Sequence, residues 1–211
     1  MITWPHPVRV PDNFDAARHE YRVRGRAVPS VSQCMACVRP AFGCPPDVLE
    51  KARARGTAIH RLTELHDLGM PLAAVGDEYR PYLLAWQDWL RHSGAEAVLI
   101  EQQVATDTYA GTFDRLVHLP HARPGRPEWL LVDIKTSATV SPVDALQTAL
   151  YAHALVAHLP PSERPRVARA TVQLRADGTY RQHDWNSIDD LPVALACVTA
   201  TNWRLTHANP T

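Results

Sequence analysis

The sequence predicts an α/β fold in which a mixed β-sheet is flanked by helices. The prediction rests on element order: early helices, an antiparallel run of strand-like segments, a crossover helix, a further hairpin and a last helix. Antiparallel neighbours need only short turns, whereas a parallel pair needs a long connection. Both kinds of connection are present, so the sheet is expected to be mixed and sandwiched by helices.

Each element has a local reason. Tyr21-Arg22-Val23-Arg24-Gly25-Arg26-Ala27-Val28 alternates around a glycine and reads as a short hairpin. Pro29-Ser30 opens a short helix, with Ser30 as N-cap. Gly43-Cys44-Pro45-Pro46 breaks the chain, and Asp47 is expected to cap a helix running through His60 to about Leu68, where Gly69-Met70-Pro71 stops it. A second apolar-periodic helix spans Tyr82–Leu90 and closes near Ser93-Gly94. Strands follow at Val98–Val104, Gly111–Val117 and Trp129–Lys135, the last two joined by the turn-rich His121–Arg126 loop. Pro142 starts a helix over Val143–His158. Ala168–Leu174 and Tyr180–Trp185 flank the tight-turn pair Asp177-Gly178, and Leu191–Trp203 closes as a helix.

The 211 residues contain no repeat, low-complexity tract or composition break, so residues 1–211 are expected to form one domain. Composition is that of a soluble globular protein, at 45% hydrophobic and 21% charged. No apolar run approaches the ~18 residues that cross a bilayer. The start of the chain lacks the basic and apolar segments of a secretory leader, so a cytoplasmic location is expected. Formal net charge is zero, but residues 1–60 carry a net +4 and residues 61–120 a net −5. That juxtaposition reads either as a phosphate-binding rim beside a metal site or as two solvated faces.

The chemistry concentrates on Asp133-Ile134-Lys135. Residues two apart on a strand share a face, which makes the carboxylate and the ammonium neighbours at the end of an apolar run. Alone, the pair is equally a salt bridge. Asp114 lies on the preceding strand and can come beside Asp133. Two carboxylates held together favour a divalent cation, with Lys135 left to orient water or offset charge on a phosphate. His60, on a helix, is either a further metal ligand or a satisfied core histidine. Glu64, one turn later, is a surface residue or an orienting partner for His60. Gln147 and Tyr151 share one helix face, suited to bracing Lys135, to contacting phosphate or to ordinary packing.

Taken together, these motifs resemble the PD-(D/E)XK nuclease superfamily, in particular its RecB-like and Cas4-like exonuclease branch. They are similar to those of phage-type exonucleases and the mitochondrial genome maintenance exonuclease. The resemblance is carried by Pro29-Ser30-Val31-Ser32, Arg55-Gly56-Thr57-Ala58-Ile59-His60, Gly111-Thr112-Phe113-Asp114, Asp133-Ile134-Lys135-Thr136 and Gln147-Thr148-Ala149-Leu150-Tyr151, with Glu101 where an early acidic residue is expected. It implies a restriction-endonuclease-like core and a DNA exonuclease dependent on Mg²⁺ or Mn²⁺. Asp114 and Asp133 would bind metal with His60 and the Ile134 carbonyl, and Lys135 would be catalytic alongside Glu101. Arg55, Thr57, Ser30, Gln147 and Tyr151 would face DNA. Several Cas4-like relatives hold an iron–sulfur cluster with one early and three late cysteines. Here Cys34, Cys37 and Cys44 are early and Cys197 is late, which reads against a cluster. The alternatives are a structure-specific endonuclease on the same fold, a non-catalytic DNA-binding protein and a metalloprotein with a purely structural, cysteine-held metal.

Overall fold

The computed structural model describes residues 2–39, 45–72, 74–122 and 124–207. The chain begins with an antiparallel meander of three short strands, β1 (Asn13–Asp15), β2 (Glu20–Val23) and β3 (Arg26–Val28). The β2–β3 pair is the expected hairpin, turning at Arg24 and Gly25, both with positive φ. The first strand had no clear signature in the sequence. Ser30 caps α1 (Val31–Cys34) through a capping box: its Oγ accepts from the Gln33 amide, and the Gln33 side chain accepts from the Ser30 amide. Gly43 and Cys44 of the expected break, and Arg123 of the later loop, lie outside the described residues.

Helix α2 (Pro46–Asp67) carries one correction. Asp47 does not cap it. Pro45 occupies the cap position without a side-chain bond, and Asp47 sits inside the first turn. Pro46 at the first helical position removes one of the amides a cap would satisfy and presets φ, while Asp47 still complements the helix dipole. Helix α3 (Arg80–Ser93) ends on Gly94 in the left-handed conformation, which costs glycine little.

A five-stranded sheet follows, built from β4 (Glu96–Ala105), β5 (Ala110–His118), β6 (Trp129–Lys135), β7 (Val167–Leu174) and β8 (Tyr180–Asp184) in spatial order β4-β5-β6-β7-β8. Only β6 and β7 are parallel, and α4 (Pro142–Val156) makes the crossover between them. Helix α5 (Asp190–His207) closes the described chain. The fold is therefore a mixed α/β sheet flanked by helices. On one face Val31, Leu150, Leu155 and Val198 of α1, α4 and α5 pack on Phe113 and Leu131. On the other, Ile59, Trp86 and Trp89 of α2 and α3 pack on Val132, Ile134 and Val172. No described helix is long and apolar enough to cross a membrane.

Pairing within the sheet is uneven. β4 follows β5 along its whole length, apart from a bulge between Ala97 and Leu99, and β6 follows β7 from Trp129↔Val167 to Lys135↔Gln173. β5 and β6 pair only from His118↔Trp129 to Arg115↔Val132. Beyond that point they part. Asp114 and Asp133 are the next residue on each side of the fork.

Candidate metal centre

At a fork the backbone loses its ladder partners, and a buried amide left unpaired is costly. Asp114 fills the gap. Its Oδ2 accepts from the Ile134 amide at 2.6 Å, standing in for the carbonyl a continued strand would offer. Its Oδ1 faces His60 Nδ1 at 3.4 Å. The other ring nitrogen, Nε2, lies 3.1 Å from the Ile134 carbonyl. His60 is thus wedged between the two arms of the fork, held there because Ile59 and Thr63 bury the inner side of α2.

Glu101 comes from β4, opposite Asp114 in register and between the pairs Ile100↔Arg115 and Gln102↔Phe113. Its Oε1 is 3.9 Å from His60 Nδ1 and accepts from Arg115 Nη1 at 2.9 Å. The Glu101 backbone has φ of 46°, a left-handed conformation that costs a non-glycine residue energy within a strand. Such strain persists only where surrounding contacts enforce it. Ligand atoms of His60, Glu101 and Asp114 all lie within 4.8 Å of one another.

Across the fork, Asp133 Oδ2 pairs with Lys135 Nζ at 2.7 Å, while Gln147 Nε2 on α4 donates to Asp133 Oδ1 and to the Tyr151 hydroxyl, each at 3.4 Å. The structure thus turns the Asp133 carboxylate towards Lys135 and α4, outside the tight His60–Glu101–Asp114 group. Lys135 pairs in register with Gln173, whose amide donates to the carbonyls of Ser137 and Ala138 and pins the loop that leaves β6.

The electrostatics follow from this placement. Burial pushes the Asp133 carboxyl up to about 6, and Asp114 adds to the rise while Lys135 opposes it. For Asp114, burial alone would raise the pKa. The positive charge of His60 and its hydrogen bond outweigh that and bring the carboxyl down to about 2. His60 is raised to about 10, chiefly by the Asp114 charge and against its own burial. Burial lowers and Asp133 raises the Lys135 pKa, and the carboxylates win, so the ammonium stays charged.

The remaining candidates are spread more widely. Arg55 is half-buried and Thr57 exposed on α2; Thr57 lines a cavity of about 460 Å³ with Gly56, His60, Arg61, Glu64 and Glu101. Glu64 accepts from Arg61 at 2.7 Å. Ser30, Gln147 and Tyr151 are buried, with their polar groups turned inward to a helix cap and to Asp133. Cys34 and Cys197 are buried free thiols and Cys37 an exposed one. A cavity of about 580 Å³ lies at the opposite end of the sheet, lined by Leu119, Arg126, Leu130, Arg166 and Trp185; it gathers none of the candidate ligands.

Sequence reasoning missed a residue at the centre of this site. Arg115 follows Asp114, points to the α2–α3 face, and is 0% exposed. Its Nε donates to Asp67 Oδ2 at 2.6 Å, its Nη1 to Glu101 and to the Asp114 carbonyl, and its Nη2 to Thr63 Oγ1. The guanidinium lies 5.8 Å from the Trp86 ring, whose Nε1 donates to Asp67. An arginine directly after Asp114 on the strand-like segment Gly111–Val117 was the available signal.

The His60–Glu101–Asp114 set fits a small, hard divalent cation, with one imidazole and two carboxylates, while the Ile134 carbonyl lies against the other ring nitrogen. With protons on both ring nitrogens, His60 bridges Asp114 and the Ile134 carbonyl, and its Nδ1 proton takes the place a cation would occupy beside Asp114. With His60 neutral, the carboxylates of Asp67, Glu101, Asp114 and Asp133 outnumber Arg115 and Lys135 by two negative charges, which one divalent ion offsets.

No family model matches the chain, and no curated protein matches it by sequence. Among solved structures, the chain is similar to an alkaline exonuclease from Laribacter hongkongensis, at 15% identity over 85% of this chain and 88% of that one, with a TM-score of 0.46. The same exonuclease in complex with dAMP matches at 14% identity over the same shares, with a TM-score of 0.42.

Proposed function

We propose that this chain is a Mg²⁺- or Mn²⁺-dependent deoxyribonuclease, acting as an exonuclease on DNA ends in recombination, repair or phage DNA processing. The observation that carries the reading is the fork between β5 and β6, which sets Asp114 against His60 and Glu101 and the Asp133–Lys135 pair on its other arm. The exonuclease assignment draws support from the motif series Arg55–His60, Gly111–Asp114, Asp133–Thr136 and Gln147–Tyr151.

His60, Glu101 and Asp114 would hold the cation, and Asp133 and the Ile134 carbonyl, which face Lys135 and the far side of the His60 ring, would turn to join them. When bound, it supplies Lewis acidity to the phosphodiester and makes water a better nucleophile at neutral pH. Lys135 stays charged and lies against Asp133, so its ammonium can orient water and offset charge growing on the phosphate. Gln147 and Tyr151 brace the Asp133 carboxylate from beneath the surface. Arg53, Thr57 and Arg61 recur every four residues on the exposed side of α2, which makes one strip beside the cavity suited to a phosphate backbone, with Arg55 next to it.

The test is digestion of end-labelled single- and double-stranded DNA with Mg²⁺, Mn²⁺ or chelator. The reading expects shortening from the ends only with metal, and at least about a hundredfold loss in both Asp133→Asn and Lys135→Ala. Full activity in both variants sinks it. Closed circular DNA should survive; nicking of the circle moves the assignment to an endonuclease. Binding without cleavage under either metal moves it to a non-catalytic DNA-binding protein.

A further inference from the structure

We infer that Arg115 is a positioning residue that fixes the spacing of the candidate metal ligands from behind, acting chiefly through Glu101. The inference rests on the nuclease reading of the same site. One buried guanidinium bonds to every element that carries a ligand of the His60–Glu101–Asp114 group. It reaches α2 through Asp67 and Thr63, β4 through the Glu101 carboxylate and β5 through the Asp114 carbonyl. Each ligand sits on a different element, and no backbone ladder joins α2 to the strands. Arg115 supplies that joint. Its planar fork presents donors at fixed angles, which a flexible ammonium does not.

The same contact accounts for the Glu101 backbone. A left-handed residue in a strand relaxes unless something holds its side chain, and the 2.9 Å bond from Arg115 Nη1 pulls the carboxylate towards His60 and Asp114. The far side of the guanidinium is fixed in turn. Asp67 accepts from Arg115, from Trp86 Nε1 at 2.9 Å and shares a 2.8 Å contact with His66 Nδ1, while the Trp86 ring lies beside the cation. Partners one shell behind the ligands commonly set metal affinity by about 10–100-fold.

The experiment measures Mn²⁺ affinity by electron paramagnetic resonance and DNA cleavage in the full chain, for wild type, R115K, E101Q and the double variant. R115K keeps the charge and loses the fork. Expected is an about 10–100-fold weaker Mn²⁺ affinity in R115K, at least as large a loss in E101Q, which alters the ligand itself, and no loss in the double variant beyond that of E101Q, because Arg115 acts through Glu101. A purely structural arginine would lower the melting temperature and leave the affinity of the folded protein unchanged. Wild-type affinity in R115K, or losses that multiply in the double variant, overturns the role of Arg115. If R115K does not fold, D67N, which weakens the guanidinium's hold on α2 while leaving the Thr63 bond and touching no ligand, takes its place with the same outcomes. A wild-type chain that binds no Mn²⁺ and cuts no DNA overturns the nuclease reading itself, a result distinct from tight binding that R115K leaves intact.

Discussion

The two ends of the β5–β6 pair solve opposite problems with the same strands. At the closed end, Leu116↔Leu131 and Val117↔Leu130 continue the ladder, their side chains are buried, and both faces are covered by helices. At the open end the ladder stops, and a carboxylate, an imidazole and an ammonium take over the bonding. One end spends its residues on burial and the other on charge. The closed end should therefore govern stability, and the open end chemistry.

The strongest way to sharpen the contrast is Asp114→Asn. It removes the negative charge facing His60 while leaving an oxygen for the Ile134 amide. Cleavage should fall about a thousandfold, with the circular dichroism spectrum retained. Leu130→Ala attacks the other end: chemical denaturation should show a loss of about 2–5 kcal/mol, while turnover per folded molecule stays within twofold. Turnover that drops in step with stability would break the separation.

A pH series probes the open end alone. In the metal-free protein His60 is raised to about 10, above its ordinary 6.5. The stability it adds is complete below pH 6.5 and fades as the pH climbs through 10. A cation needs the neutral ring, so it competes with that proton. Mn²⁺ affinity, followed by calorimetry, should rise about tenfold per pH unit from 7 to 9. A flat profile removes His60 from the ligand set. The smallest expected effect lies where the two ends meet the helices. A Cβ on Gly111 would come within 2.7 Å of Tyr151 Cε1 and 3.1 Å of Val31 Cγ2. Gly111→Ala should cost about 1–3 kcal/mol by thermal melting, with Tyr151 displaced from Gln147.

The closed end was the more legible in sequence. Trp129–Lys135 was readable as a strand to the residue because an apolar run ends in a charged pair. Ser30, Gly94 and Pro142 mark helix ends by rules that act within a few residues. Asp114, Asp133 and His60 stood out because charged or titratable residues are unusual on apolar strands and because two of them, Asp114 and His60, follow a Gly-Thr pair. The fork was not legible, since it depends on where two strands stop pairing, and the charged residues that stand there do not by themselves say that the ladder ends. Asp67 and Arg115 lie 48 residues apart in the chain, so their bond leaves no local pattern. The left-handed φ of Glu101 is likewise enforced from another strand. β1 escaped notice because three mostly polar residues carry no alternation. The Asp47 cap failed because proline chemistry at Pro45-Pro46 made a side-chain cap unnecessary.

Asp114 divides its two oxygens between architecture and reactivity: one receives an amide proton from the neighbouring arm, the other faces the histidine. The two atoms move as one rigid group. Lengthening the side chain by a methylene, as in Asp114→Glu, would shift both at once and fit neither partner. Engineering at this position therefore has no independent dials, and any redesign of the site must start by giving the Ile134 amide a different acceptor.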